Sequence, residues 1–100
     1  MKKQRHLYLF GNTEHKWYKL GVSYSPESRM DAFQEFLPFP VELIAAVRFT
    51  WLDGFRAFEA EKCLQQHYAG YRQRGEWFRD LPVEAVVTHI KKLAKAHNAN

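Results

Sequence analysis

The sequence predicts an α+β domain of element order β-β-α-β-α-α, with a hairpin and a third strand layered against three helices. Three observations carry this. Two aromatic-rich apolar runs, residues 6–10 and 17–22, flank a short polar stretch and read as an antiparallel hairpin. A third apolar run, residues 41–50, follows the Pro-punctuated break at 37–40. Ser25-Pro26 and Asp80-Leu81-Pro82 are helix starts ahead of segments with three/four apolar spacing.

In the first hairpin, Phe10 is expected opposite Trp17, which sets Tyr8 opposite Lys19 and His6 opposite Gly21. Alternation then gives Leu7, Leu9, Tyr18, Leu20 and Val22 one core face. His6, Tyr8 and Lys19 share the other face, so a phenol and an amine stand at cross-strand distance. Ser25 reads as an N-cap with Pro26 at the first helical position, and this helix runs to about Phe36. The third strand follows. Asp53 caps a second helix that ends at Gly70. Residues 74–79 read as a turn and a short aromatic segment, with Trp77 and Phe78 as plugs beneath the last helix. The third helix opens at residues 80–82 and runs for about a dozen residues. Val83, Val86, Val87, Ile90 and Leu93 form its apolar stripe.

Composition bounds the function. The chain has 100 residues, 46% hydrophobic and 26% charged, which excludes a disordered chain and leaves room for one domain. Residues 1–100 are read as that single domain, with a basic arm at 1–5 and a frayed tail at 97–100. Fifteen Lys and Arg against eleven Asp and Glu give a formal charge of +4, a mild bias toward phosphate backbones. Cys63 is the single cysteine, which excludes an intrachain disulfide and a cysteine-based zinc site and suits a reducing, cytoplasmic compartment. No apolar run is long enough to span a bilayer, and the basic start is not followed by a signal-type apolar stretch, so no membrane role is expected. The five histidines show no zinc-motif spacing, and no Gly-rich phosphate loop is present.

Chemistry concentrates where polar residues enter apolar faces. In the first helix, Pro26, Arg29, Met30, Phe33, Phe36 and Leu37 share the three/four spacing, which sets Arg29 on the core-facing stripe. In the second, Ala57, Ala60, Glu61, Leu64, Tyr68 and Tyr71 do the same, with Glu59 pointing away. A charge facing a core is paired or binds something. One reading is an Arg29–Glu61 salt bridge, with Tyr8 and Lys19 as ordinary strand residues. The other takes all four together. Arg29 is a bidentate donor for phosphate oxygens, and Glu61 a hard oxygen ligand for a divalent cation. Tyr8 is a phenol whose ordinary pKa of ~10 must fall if it is to take a proton from water. Together these are the parts for hydrolysing a phosphodiester.

These residues also resemble a known family. His6-Leu7-Tyr8, then Lys19-Leu20-Gly21, then Arg29, then Glu61 on a later helix, is similar to the GIY-YIG nuclease superfamily. The nearer likeness is to its small phage-associated subgroup with a Lys-Ile-Gly second motif and a Glu-aromatic-Phe segment, here Glu76-Trp77-Phe78. The resemblance covers about residues 6–90. It implies a small three-stranded antiparallel sheet flanked by helices. It implies that Tyr8 activates or positions the attacking water, that Lys19 stands in place of a second tyrosine, and that Gly21 closes the second motif. Arg29 stabilises the phosphate, and Glu61 holds one Mg²⁺ or Mn²⁺ ion. The departures are His6 in place of the first-motif glycine, Lys19 in place of the tyrosine, and Phe33 where many relatives carry histidine.

The expected function is a metal-dependent DNA endonuclease. Tyr8, Lys19, Arg29 and Glu61 are its catalytic residues, and Arg5, Trp17, Gly21, Arg72 and Arg74 are expected along the DNA. With no added sequence-reading module, specificity comes from DNA structure or from a protein partner. The alternative is a weak or inactive nucleic-acid- or protein-binding module that keeps the fold. A third reading is a protein adaptor built on Trp77 and Phe78.

Overall fold

A computed structural model describes residues 5–49 and 54–98, the side chains of 54–56 and 97–98 excepted. Its elements are β1 (His6–Asn12), β2 (Trp17–Ser23), α1 (Pro26–Gln34), β3 (Glu42–Arg48), α2 (Gly54–His67), a 3₁₀ turn at Ala69–Tyr71, β4 (Arg72–Arg74), β5 (Trp77–Arg79) and α3 (Val83–Asn98). The strands form one antiparallel sheet in the order β3-β1-β2-β5-β4.

This corrects the expected three-stranded sheet and the β-β-α-β-α-α order. The stretch taken for a turn and an aromatic segment is a second hairpin, which adds β5 and β4 to the β2 edge. Each of its strands has three residues, too few for alternation to show. Gly75 turns it at φ +57°, in the left-handed region that glycine enters without steric cost.

The first hairpin is two residues out of the expected register. Tyr8 pairs with Gly21 and Phe10 with Lys19, where Tyr8 was expected opposite Lys19. A two-residue slip preserves faces, so the expected core face survives. Leu7, Leu9, Tyr18 and Leu20 are buried and pack with Ala57, Ala60 and Leu64 of α2 and with Val86 and Ile90 of α3. The other face is also packed, chiefly by rings. Tyr8 stacks on Phe10 at 5.3 Å, and Phe10 meets Phe33 of α1 and Trp77 of β5, each at 6.1 Å. Phe78 lies in the core beneath α3, as expected, whereas Trp77 points to the opposite face.

Helix boundaries follow local chemistry. Ser25 makes no side-chain cap; its hydroxyl bonds Ser28 and its carbonyl accepts the Arg29 N–H. Gln34 ends α1 and clamps the proline loop, donating to the Phe39 carbonyl and accepting the Val41 N–H. Asp53, the expected cap of α2, lies outside the described residues. Pro82 rather than Asp80 begins α3, because its carbonyl accepts the Val86 N–H. Asp80 sits at φ +61° and donates its N–H to the Lys16 carbonyl. α3 runs to Asn98, beyond the expected dozen residues. Among the described residues no helix is long and apolar enough to cross a membrane.

Candidate active site

Tyr8 and Lys19 stand on neighbouring strands of the ring-lined face and are almost wholly buried, at 1% and 6% exposure. Gly21 is what admits the phenol. A Cβ there would overlap the Tyr8 hydroxyl and ring, so the absent side chain is the space the phenol occupies. The tyrosine and the glycine, cross-strand partners in the two hairpin arms, are one steric unit made by the observed register.

Lys19 does not point free. Its ammonium donates to Glu76 Oε1 at 2.7 Å and lies over the rings of Phe33 (4.6 Å) and Trp77 (5.7 Å). Glu76 occupies the tight turn between β4 and β5, and the N–H of Leu20 bonds its carbonyl at 3.2 Å, which seats that turn beside β2.

Glu61 comes from α2, half-buried at the edge of the stripe formed by Ala57, Ala60 and Leu64. Its Oε2 is buried and has no hydrogen-bond partner. Desolvation, then the charge and the hydrogen-bonding approach of the Glu76 carboxylate, push its pKa up to about 7, against the opposing pull of Lys19. Two carboxylates thus face each other beside an ammonium. Such a pair holds a proton near neutrality or gives it up to a cation. The orphaned oxygen and the second carboxylate are hard donors of the kind Mg²⁺ and Mn²⁺ take. Among the described residues no group of three or more His, Cys, Asp or Glu converges.

Arg29 departs from expectation. It is exposed, and the buried edge of α1 is Pro26 with half-buried Met30, Phe33 and Gln34. The three/four spacing sets both Arg29 and Met30 on the stripe, but with Phe33 packed on Phe10 the helix turns Met30 inward and leaves Arg29 exposed. Arg29 and Glu61 form no ion pair among the described residues, so the structural-pair reading is not what this fold contains. The guanidinium does reach the site electrostatically, lowering the Tyr8 pKa. That pull is outweighed. Burial first, then the Glu76 carboxylate, push Tyr8 up to about 12. A neutral phenol that keeps its proton is a hydrogen-bond donor here, the reverse of the lowered pKa that proton abstraction requires.

The structure therefore brings Tyr8, Lys19, Gly21, Arg29 and Glu61 into one electrostatic cluster and adds Glu76. The signal for Glu76 was legible: an acid at a turn directly before two buried-type aromatics, already part of the motif likeness, with no role drawn from it. The residues expected along DNA divide. Trp17 and Arg74 line a separate pocket with Trp77. Arg72 is exposed and donates to the Gly75 carbonyl at 2.5 Å, bracing the β4–β5 turn. The Arg5 guanidinium is stacked between the rings of Tyr24 (4.9 Å) and Phe58 (4.8 Å).

Compared with protein families, residues 5–94 match the T5orf172 domain. No curated protein and no solved structure matches the chain.

Proposed function

The chain belongs to the T5orf172 domain family, a phage-associated family related to nuclease-like folds, and from that premise we propose that it is a metal-dependent DNA endonuclease of the GIY-YIG kind. The observation that carries the reading is the unpartnered buried oxygen of Glu61, set against Glu76 beside Tyr8 and Lys19. A buried carboxylate left one partner short is costly unless a ligand completes it.

Glu61, with Glu76 beside it, would hold the Mg²⁺ or Mn²⁺ ion, which would supply Lewis-acid stabilisation of phosphate charge and a more acidic water. Arg29, exposed at the edge of α1, neutralises the non-bridging phosphate oxygens. Tyr8, protonated and fixed over Gly21, donates a hydrogen bond to the reacting phosphate group rather than removing a proton from water. Lys19 holds the Glu76 carboxylate in place. The phenol and the ammonium are thus donors, and the proton acceptor in the cluster is the carboxylate pair.

The test is cleavage of supercoiled plasmid and of branched DNA with Mg²⁺, with Mn²⁺ and with EDTA. Wild type nicks DNA only with metal, and Glu61→Gln lowers the rate at least ~100-fold while DNA binding persists. Two observations favour a second reading, a binding module with little catalysis: Lys19 is already committed to Glu76, and Tyr8 is held protonated. Metal-independent binding by folded wild type, without nicking of either DNA, selects that module.

A further inference from the structure

A second feature lies next to the carboxylates and has no part in the chemistry described above. Trp17, Leu37, Phe39, Gln73, Arg74 and Trp77 enclose a pocket of about 380 Å³. This is within the size range of sites for small planar ligands. Its walls are aromatic and braced. Arg79 lies over the Trp17 ring at 5.3 Å, and His15 stacks on Phe39 at 5.1 Å. Trp77 is held edge-on by Phe33 (90°) and Phe10 (78°). The pocket shares Trp77 with the candidate active site, where the same ring lies 5.7 Å from the Lys19 ammonium.

Charge distinguishes it from an ordinary apolar cleft. Arg74 is on the rim, and exposed Arg79 on the same short hairpin lies over the Trp17 wall. Arginines framing an aromatic slot suit a base held by stacking with phosphates on either side.

We propose that this pocket receives one unpaired nucleobase of the DNA strand being cut, so that the enzyme selects duplexes interrupted by an extrahelical or gapped nucleotide. The proposal rests on the nuclease reading and adds the substrate class to it. The shared Trp77 wall couples the captured base to the neighbouring phosphate that reaches Arg29, Lys19 and the carboxylates. A fully paired duplex has no base to offer without unstacking one, at a cost of a few kcal/mol.

The test is equilibrium binding in EDTA, where cleavage plays no part. Three DNAs of equal length are compared: fully paired, carrying one extrahelical nucleotide, and carrying an abasic residue at that same position. Wild type binds the extrahelical DNA about 5- to 100-fold more tightly than the paired duplex, the range that stacking one base on aromatic side chains provides. The abasic DNA loses that gain, and this comparison needs no protein variant. In Trp17→Leu the ratio of extrahelical to paired affinity falls toward one. Equal affinity of wild type for the three DNAs overturns the proposal. So does a ratio that survives in Trp17→Leu. The two readings fail separately. A base preference without metal-dependent cleavage removes only the hydrolase, and cleavage without a preference removes only the pocket.

Discussion

Glu61 sits where two requirements meet, because the oxygen proposed to take a cation is also the buried one without a hydrogen-bond partner. Its pKa stands near 7 in the fold against an ordinary 4.5, so between those values the folded chain binds more protons than the unfolded one. The Glu61 contribution to stability is therefore greatest below about 4.5 and is lost as pH rises through about 7, while His89, held below its ordinary value by burial, contributes with the opposite sign. The loss is about 1–2 kcal/mol once solvent screening of a half-buried group is allowed for. Thermal melts of wild type in EDTA show this decline, and Glu61→Gln flattens it and is the more stable protein at pH ~8. Wild-type and Glu61→Gln melting temperatures that run parallel across this window contradict the raised Glu61 pKa. At Gly21 the constraint is steric. Gly21→Ala forces the Tyr8 ring aside and costs about 2–3 kcal/mol, by denaturant titration. Tyr8, Lys19 and Glu61 stood out in the sequence because a polar group in an apolar pattern is visible without coordinates. Their mutual arrangement was not. The two-residue register difference that seats Tyr8 over Gly21 leaves every face unchanged, so hydrophobic alternation cannot detect it. Arg29 was misplaced for a related reason, since helical periodicity cannot separate adjacent positions at the edge of a stripe.

The β4–β5 hairpin is the element that completes both candidate sites, bringing Glu76 to Lys19 and Trp77 to the aromatic pocket. It is also the shortest element, with two three-residue strands joined at Gly75. Its position depends on pairing with β2, on the Leu20 N–H to Glu76 carbonyl bond and on the Arg72 brace across its turn. Gly75→Ala imposes a side chain at φ +57°, at a cost of about 1 kcal/mol. Because the strain falls on the turn that presents Glu76, cleavage falls by more than stability alone explains. Kinetics at a temperature where the variant is fully folded, checked by circular dichroism, separate the two. Activity equal to wild type there shows that Glu76 is dispensable. The long elements, β1, β2 and α3, were legible because each carries enough residues for a period to emerge. The hairpin was not, since three residues show no period and its alternation is divided between the core, which takes Phe78, and the opposite face, which takes Trp77.

Across the whole molecule the sheet separates two tasks. One face, with α2 and α3, buries the aliphatic core, while the other, with α1, carries the rings, Lys19 and its partner Glu76, which Glu61 meets from the edge of α2. A formal charge of +4 on 100 residues is modest, so DNA affinity depends on where the charge lies more than on its sum. Exposed Arg29, Arg74 and Arg79 frame the site face, whereas exposed Lys92 lies on α3, in the layer across the sheet. Binding measured in EDTA from ~50 to ~300 mM salt follows a log–log line of slope about −3 to −5, the signature of a few released counterions. Arg29→Ala and Arg74→Ala each reduce the magnitude of that slope by about one, while Lys92→Ala leaves it unchanged. If instead Lys92→Ala lowers the slope and the two arginine variants do not, DNA lies against the α3 layer, and the carboxylate cluster faces away from it. The salt titration therefore asks which side of the sheet meets the phosphates, without relying on catalysis.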